Sequence, residues 1–360
     1  MVREITIDGQ RVADDTDCYV IAEIGHNHQG ELAKCKDLFR AAKECGANAV
    51  KLQKRDNRTL FTRDMYDSAY QSENAFGDTY GAHREALEFG RDEYVELIRF
   101  SKEIGVTFFS TAFDHNSADF LAELDMPAYK LASGDIINTP LLKHVAKIGK
   151  PMVVSTGGAT MDDVVRAYDA IMPINQQLCI MQCTAGYPPE FEELNLRVIE
   201  TYRQRFPDIV IGFSSHDNGI SMALIAYMLG SRMVEKHFTI NRAWKGSDQA
   251  FSLERDGMRR MVRDLHRARI SIGDGVKRVY PSEAKPLQKM AKKIVAARDL
   301  PSGHVLRRED LALKSPNDGL PPYELDNLVG RRLRNGLKAD MNLSFDVVEE
   351  SSAPLSKKAS

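Results

Sequence analysis

Two histidines carry the first chemical signal in this sequence. His216 closes the run Gly212-Phe-Ser-Ser-His-Asp217, and His237 closes Met233-Val-Glu-Lys-His237, with a helix-like segment between the two. Each ends a short apolar stretch of strand character, so two neighbouring parallel strands would present both imidazoles at one open end of a sheet. That arrangement suits a single divalent metal whose remaining coordination positions stay open to substrate. An isolated strand histidine is usually a satisfied core residue; two on consecutive strands are not explained that way. Lysines and hydroxyls elsewhere in the chain would serve an anionic substrate and an aldehyde beside such a metal.

The elements that must position these groups follow a regular pattern. Short apolar, β-rich runs alternate with amphipathic stretches from residue 18 to about residue 271. The pattern predicts strands at Tyr19–Ile24, Ala49–Gln53, Thr107–Ser110, Ala128–Ala132, Met152–Ser155, Cys179–Cys183, Val210–Phe213 and Met233–His237. It predicts helices at Leu32–Glu44, Asp92–Glu103, Ser117–Leu124, Pro140–Ile148, Asp162–Ile171, Leu196–Phe206, Ile220–Leu229 and Glu254–Ile270. Eight strands in strict alternation with eight helices pair in parallel through crossover helices and close into an α/β (β/α)8 TIM barrel. A doubly wound open sheet is the structural alternative. A barrel places its chemistry at the carboxyl ends of its strands, and polar residues gather there: Glu23, Lys51 and Gln53, Ser110 and Thr111, Lys130 and Ser133, Ser155, Gln182, His216, and Glu235 with His237.

The segment from Lys54 to Arg91 is too long for an ordinary connection and is expected to be functional or partly folded. The proline-bearing stretch 281–290 reads as a linker between a barrel domain, residues 1–280, and a small β-rich domain over 291–350 with Gly, Pro and Asn turns. The polar tail 351–360 reads as disordered. With 360 residues, 43% of them hydrophobic, the chain can bury a core for two domains. A net charge of -2 argues against a nucleic-acid partner. Five cysteines without a CxxC pair read as reduced thiols in a cytoplasmic protein. No apolar run long enough to span a membrane is present.

Taken together, Ala22-Glu-Ile-Gly-His-Asn-His-Gln-Gly30, Lys51-Leu-Gln53, Tyr129-Lys-Leu-Ala-Ser-Gly-Asp135, Ser155-Thr-Gly157, Gln182-Cys-Thr-Ala-Gly-Tyr-Pro188, Ser214-Ser-His216 and Glu235-Lys-His237 resemble the sialic acid synthase family over almost the whole chain. That family joins phosphoenolpyruvate to an N-acylmannosamine or its 6-phosphate. The resemblance implies a C-terminal module similar to type III antifreeze protein, and a domain-swapped homodimer in which that module caps the partner's barrel. It implies that His216 and His237 hold a divalent metal, Mn²⁺ foremost, with Mg²⁺ or Co²⁺ as alternatives. Lys51, Thr111, Lys130, Ser155 and Ser214 match positions that hold phosphoenolpyruvate. Gln53, Tyr187 and Asp248 match positions that contact the amino sugar, and Ser133 falls within a matched motif beside them. Glu23 and Asp135 match acidic positions, and either one would serve as general base. Thr79-Tyr-Gly-Ala-His-Arg-Glu-Ala-Leu-Glu-Phe89 and Trp244-Lys-Gly-Ser-Asp-Gln249 look closest to the branch that takes the 6-phosphate sugar.

The chain departs from some bacterial members at two places, with Ala185 for an asparagine and Ser315 for an arginine, and both bear on the choice of sugar. Synthases of legionaminate, pseudaminate or Kdn type are therefore alternatives. Lys130 as a Schiff-base lysine is the rival mechanism on the same fold. A ligand-binding module on a catalytically dead barrel is the rival from outside enzymology. His26 and His28 read as loop-positioning residues and Cys183 as buried barrel filling.

Overall fold

The structure, a computed structural model, describes residues 3–350. Two compact units divide the chain, Met1–Gly273 and Asp274–Ser360. The first opens with an unanticipated antiparallel hairpin, β1 (Glu4–Ile7) and β2 (Gln10–Ala13). Its turn is Asp8-Gly9, both residues at positive φ (49° and 76°), the conformation a two-residue hairpin loop requires. A four-residue alternation on either side of that turn is a weak signal compared with the βα periodicity that follows it.

Eight strands then form the barrel: β3 (Tyr19–Gly25), β4 (Ala49–Lys54), β5 (Thr107–Ala112), β6 (Tyr129–Leu131), β7 (Met152–Ser155), β8 (Leu178–Cys183), β9 (Val210–Ser215) and β10 (Met233–His237). They pair in sequence order, and β10 pairs with both β9 and β3, so the sheet is closed and the open-sheet alternative falls. The helices lie where the 3.6-residue periodicity puts them. Leu32–Glu44, for example, buries Cys35, Leu38, Phe39 and Ala42 on the face that covers the sheet.

Strand alternation sets what faces the barrel axis. Val50 and Leu52 of β4 join the layer between strands and helices, whereas Ala49 joins the interior. The interior is apolar near the amino ends, where Ile5, Ile7 and Val12 of the hairpin pack with Tyr19, Phe109 and Met181. One step further along each strand it turns polar: Ile21 gives way to Glu23, Ala49 to Lys51, Phe109 to Thr111, Val153 to Ser155, and Met233 to Glu235. The segment after β4 is folded into short helices, Asn57–Leu60, Arg63–Asp67 and Tyr80–Glu85, each N-capped by a side chain (Asp56, Thr62 and Thr79).

The second unit begins at 274, ahead of the boundary expected at 280. The stretch expected as a linker is helical, a 3-10 turn at Pro281–Glu283 running into a helix over Ala284–Met290. Pro286 sits in the first turn of that helix, where no intrahelical donor is needed, so it does not break it. Beyond it, β11 (Lys293–Ala296) and β12 (Leu311–Lys314) form a small antiparallel sheet. A leucine core including Leu300, Leu306, Leu328, Leu333 and Leu343 packs against Ile294. The remaining β pairing is single bridges between turns, because the backbone folds around that core in pieces too short for strands. The expected tail, 351–360, lies outside the described residues.

Candidate active site

At the carboxyl ends of the barrel strands lies a cavity of about 420 Å³. Its floor is a network of desolvated charges. Lys51 Nζ donates to Thr111 Oγ1 at 2.6 Å and lies 2.7 Å from Glu23 Oε2. Lys130 Nζ donates to Ser155 Oγ at 2.6 Å. Glu235 stands between the two ammonium groups, its Oε1 3.8 Å from Lys51 and 3.7 Å from Lys130, and accepts from Ser214 Oγ at 3.3 Å. Lys51 and Lys130 are 2% and 3% exposed, so these contacts are not solvent-screened surface pairs.

The two carboxylates differ in proton affinity. Burial pushes Glu23 up to about 7, against the pull of Lys51. Burial acts on Glu235 in the same sense, but Lys130 and Lys51 outweigh it and hold that carboxyl below its ordinary range. Glu235 is thus the fixed counter-charge of the lysines, and Glu23 is the group poised to exchange a proton near neutrality. Burial lowers the Lys130 ammonium, with Glu235 opposing the shift.

Across the cavity, the His216 and His237 rings lie 5.3 Å apart between centroids. His216 Nδ1 faces the Thr184 carbonyl at 3.1 Å, which fixes the Nδ1–H tautomer and leaves Nε2 as a lone-pair donor. His237 Nδ1 is buried without a hydrogen-bond partner, and Asp248 Oδ2 is 3.7 Å away. Burial lowers both imidazoles, His216 to about 4, so both are neutral, the form that ligates metals. Two neutral imidazoles, one with an orphaned nitrogen, fit a divalent ion. Among the described residues no group of three or more His, Cys, Asp or Glu forms a metal cage, so an ion on this pair would keep most of its shell for water or substrate.

Gln53 donates to Glu23 Oε1 at 2.7 Å and accepts from Arg55 at 2.7 Å. Tyr187 covers His216, ring centroids 4.0 Å apart. Ser133 Oγ accepts from the Gly157 amide at 3.0 Å. A Cβ at Gly157 would sit 2.8 Å from that oxygen, so glycine is what lets the β7 loop close on the β6 loop. Gly25, at φ +52, leaves only 3.3 Å between a built Cβ and Gln53 Nε2 or Glu23 Oε1.

Of the acidic, basic, hydroxyl, amide and imidazole candidates from the sequence, the structure brings Glu23, Lys51, Gln53, Thr111, Lys130, Ser133, Ser155, Tyr187, Ser214, His216, His237 and Asp248 to the cavity wall. Asp135 stands off the wall, as do Ser110, whose hydroxyl meets Tyr94 at 3.0 Å, and Gln182, which donates to the Leu194 carbonyl at 3.1 Å. Asp135 lies in the 3-10 turn Ser133–Asp135, where it accepts from Asn138 Nδ2 at 3.2 Å. Ser133 precedes it by two residues and turns inward, so the turn separates the two. Cys183 also lines the cavity, and burial raises its thiol, which opposes a nucleophilic role. His26 and His28 stay off the cavity wall; His28 Nδ1 accepts from the Gly30 amide at 3.0 Å and its ring stacks on Phe89. Two wall residues, Arg55 and Arg84, belong to no strand-end motif; Arg84 falls in the stretch Thr79–Phe89 that the sequence marks, though without a role of its own. Arg55 continues the inward series Lys51, Gln53 one step past the strand, whereas Arg84 arrives from the helix after Thr79, whose place at the mouth no local periodicity signals.

Comparison with known proteins agrees with this geometry. The NeuB family model matches residues 38–277 and the SAF domain model residues 293–347. The human protein named N-acetylneuraminate-9-phosphate synthase is 38% identical over 95% of this chain and 95% of its own. The N,N'-diacetyllegionaminic acid synthase of Legionella pneumophila is 33% identical over 92% of this chain and 95% of its own. Among solved structures, the N-acetylneuraminic acid (sialic acid) synthetase of Leptospira borgpetersenii, in complex with citrate, superposes with a TM-score of 0.67 at 29% identity, covering 79% of this chain and 95% of that one.

Proposed function

The chain belongs to the NeuB family, and from that premise we propose that it condenses phosphoenolpyruvate with an aldose of the N-acylmannosamine type, free or as the 6-phosphate, releasing phosphate. One observation carries this reading: two buried lysines, each on a hydroxyl and sharing Glu235, face a pair of neutral histidines across one cavity. The lysines neutralise the trianion, and Thr111, Ser155 and Ser214 orient its oxygens. A bond forms between C3 of phosphoenolpyruvate and the aldehyde carbon, whose oxygen takes a proton. Water adds to the cationic C2 and gives one proton to a base, matching the proton taken by the aldehyde oxygen. The C2–O bond to phosphate breaks as the new hydroxyl passes its proton to the departing phosphate and the ketone forms. Glu23 is the base, since it lies in the cavity with a raised proton affinity and Asp135 does not line it. His216 and His237 would hold a divalent ion, Mn²⁺ by our assignment, which when bound would supply electrophilic polarisation to the aldehyde oxygen. Gln53, Tyr187 and Asp248 position the sugar.

Burial of Lys130 also suits a Schiff base, the second reading. Borohydride trapping in the presence of sugar separates the two: an unchanged protein mass supports the condensation, and a reduced adduct on Lys130 replaces it. The primary experiment is phosphate release from phosphoenolpyruvate with N-acetylmannosamine, its 6-phosphate, mannose 6-phosphate and a diacetamido sugar, with and without chelator. No release with any of them refutes the condensation.

We also assign a cytoplasmic, domain-swapped homodimer. Its support is a C-terminal unit with its own core and the SAF match. Among the described residues no helix is long and apolar enough to cross a membrane. A monomeric mass in solution would overturn the dimer.

A further inference from the structure

Behind the two imidazoles, on the outer face of β9 and β10, lies a buried ion pair that no step of the condensation uses. Ile211, Phe213 and Val234 belong there to the apolar layer between strands and helices. Alternation carries Ser215 and Lys236 onto the same face, where they are register partners. Lys236 Nζ donates to the Asp217 carbonyl at 2.6 Å and to Asp217 Oδ1 at 2.9 Å, and Ser215 Oγ donates to the same Oδ1. The Lys236 and Asp217 side chains are each 2% exposed, and among the described residues neither has another ion pair.

Stability does not account for this pair. Desolvating two charges offsets most of their attraction, and well-packed hydrophobic residues in their place are often neutral or stabilising. Position does account for it. Asp217 directly follows His216, and Lys236 directly precedes His237. The register between β9 and β10 ends at Ser215 and Lys236, so His216 stands one residue past the last paired position. Lys236 grips both the main-chain and the side-chain oxygen of Asp217, which carries the connection between the two strands beyond that point. On its other side His216 is held through Nδ1 by the Thr184 carbonyl at 3.1 Å. His237 Nδ1 has no hydrogen-bond partner, so the backbone of β10 is what places that ring.

We propose that Lys236 and Asp217 are positioning residues, whose ion pair ties the two histidine-bearing backbones together and fixes the 5.3 Å separation of the imidazole centroids for a divalent ion. This assignment rests on the metal role given to His216 and His237 above.

Lys236→Met alone would leave the Asp217 charge buried and unpaired, a strongly destabilising change. The test is therefore the double variant Lys236→Met/Asp217→Asn, beside Lys236→Arg, on the full-length protein. Each metal-free protein is melted and then titrated calorimetrically with Mn²⁺. The double variant should melt at or above the wild-type temperature yet bind Mn²⁺ about ten- to hundredfold more weakly, the scale of losing an outer support of a metal ligand. Its turnover should recover at high Mn²⁺, with the KM for phosphoenolpyruvate unchanged. Lys236→Arg keeps a donor for both Asp217 oxygens and should restore most of the affinity. A double variant that melts well below wild type, or that binds Mn²⁺ as wild type does, overturns the proposal, since the pair then serves the fold alone. Absence of Mn²⁺ binding in wild type, or undiminished binding in His237→Ala, instead refutes the metal role of the histidines and takes the clamp with it.

Discussion

The two ends of the barrel offer a contrast in what makes a cavity a site. The larger hollow, about 700 Å³, lies at the amino ends of the strands among Thr6, Asp8, Lys102, Lys150 and Gln177. The smaller, about 420 Å³, lies at the carboxyl ends. Around the larger one the charges are solvated: Lys150 pairs with Asp125 at 2.8 Å with 39% and 83% of the two side chains exposed. Around the smaller one they are desolvated and mutually dependent, with Lys51, Glu23 and Glu235 each within a few per cent of full burial. Burying such charges costs several kcal/mol per ion unless each is paired. Volume alone therefore points to the wrong end, and convergent desolvated charge points to the right one.

The sharpest way to break this contrast is to remove an imidazole. His237→Ala should lower turnover on the order of 10³-fold, several kcal/mol of lost stabilisation of developing charge. Chelator should abolish wild-type activity and Mn²⁺ should restore it, and metal content measured on the variant should fall. Full activity in His237→Ala would remove the histidine pair from the chemistry. At the opposite end, Ile7→Ala removes a fully buried plug residue. It should cost about 2–5 kcal/mol in denaturant unfolding while turnover per folded molecule stays unchanged. Equal damage to turnover would mean that the two ends are coupled.

Lys51→Ala and Lys130→Ala should each cost about 1.5–3 kcal/mol, one to two decades in kcat/KM for phosphoenolpyruvate, with sugar KM less affected. Unchanged kinetics for phosphoenolpyruvate in both variants would refute the anion role. Glu23 gives a pH signature. Its proton affinity is raised by burial to about 7, so the carboxylate form fills as pH rises through that value and empties below it. Activity should fall about tenfold per pH unit on the acid side, the slope of a single required base. Glu23→Gln should lose activity and flatten that limb, whereas Asp135→Asn should keep it. A limb that moves with Asp135→Asn instead would return the base role to that residue.

How much of this is legible in the sequence follows from what each signal depends on. The barrel is readable because its strands repeat one local pattern eight times, and the strand ends name the lysines and histidines in the same stroke. Two-residue alternation along a strand is enough to put Lys51 with Gln53, and Glu235 with His237, on one face. The resemblance, not the alternation, puts Asp135 among the acidic candidates, and a motif match carries no direction for its side chain; the 3-10 turn after β6 leaves it off the cavity wall. Arg84 falls in a stretch that the resemblance marks, Thr79–Phe89, but its place at the cavity depends on how three capped helices fold back over the barrel mouth, a tertiary outcome that no period in the sequence encodes. The β1–β2 hairpin escapes for a related reason, since its only cue is one Asp-Gly turn whose role as a barrel plug appears when Ile5 and Ile7 meet Phe109.

The smallest predicted effect tests the contrast most directly. Gln177 lines the larger hollow, where its side-chain amide donates to the Gly149 carbonyl at 3.2 Å on an exposed surface. Lys102 lines the same hollow. Water replaces such a hydrogen bond when the side chain is removed, so Gln177→Ala and Lys102→Ala should each change stability by less than about 0.5 kcal/mol. Both should leave the kinetic constants for phosphoenolpyruvate and sugar at wild-type values, because no desolvated charge in that hollow depends on them. The measurement is a urea unfolding curve and a steady-state titration on each variant beside Ile7→Ala, which shares that end of the barrel but is buried. A kinetic defect in either groove variant, at wild-type stability, would show that the amino-terminal hollow acts on the reaction. Burial and convergence of charge would then not be enough to tell the two ends apart.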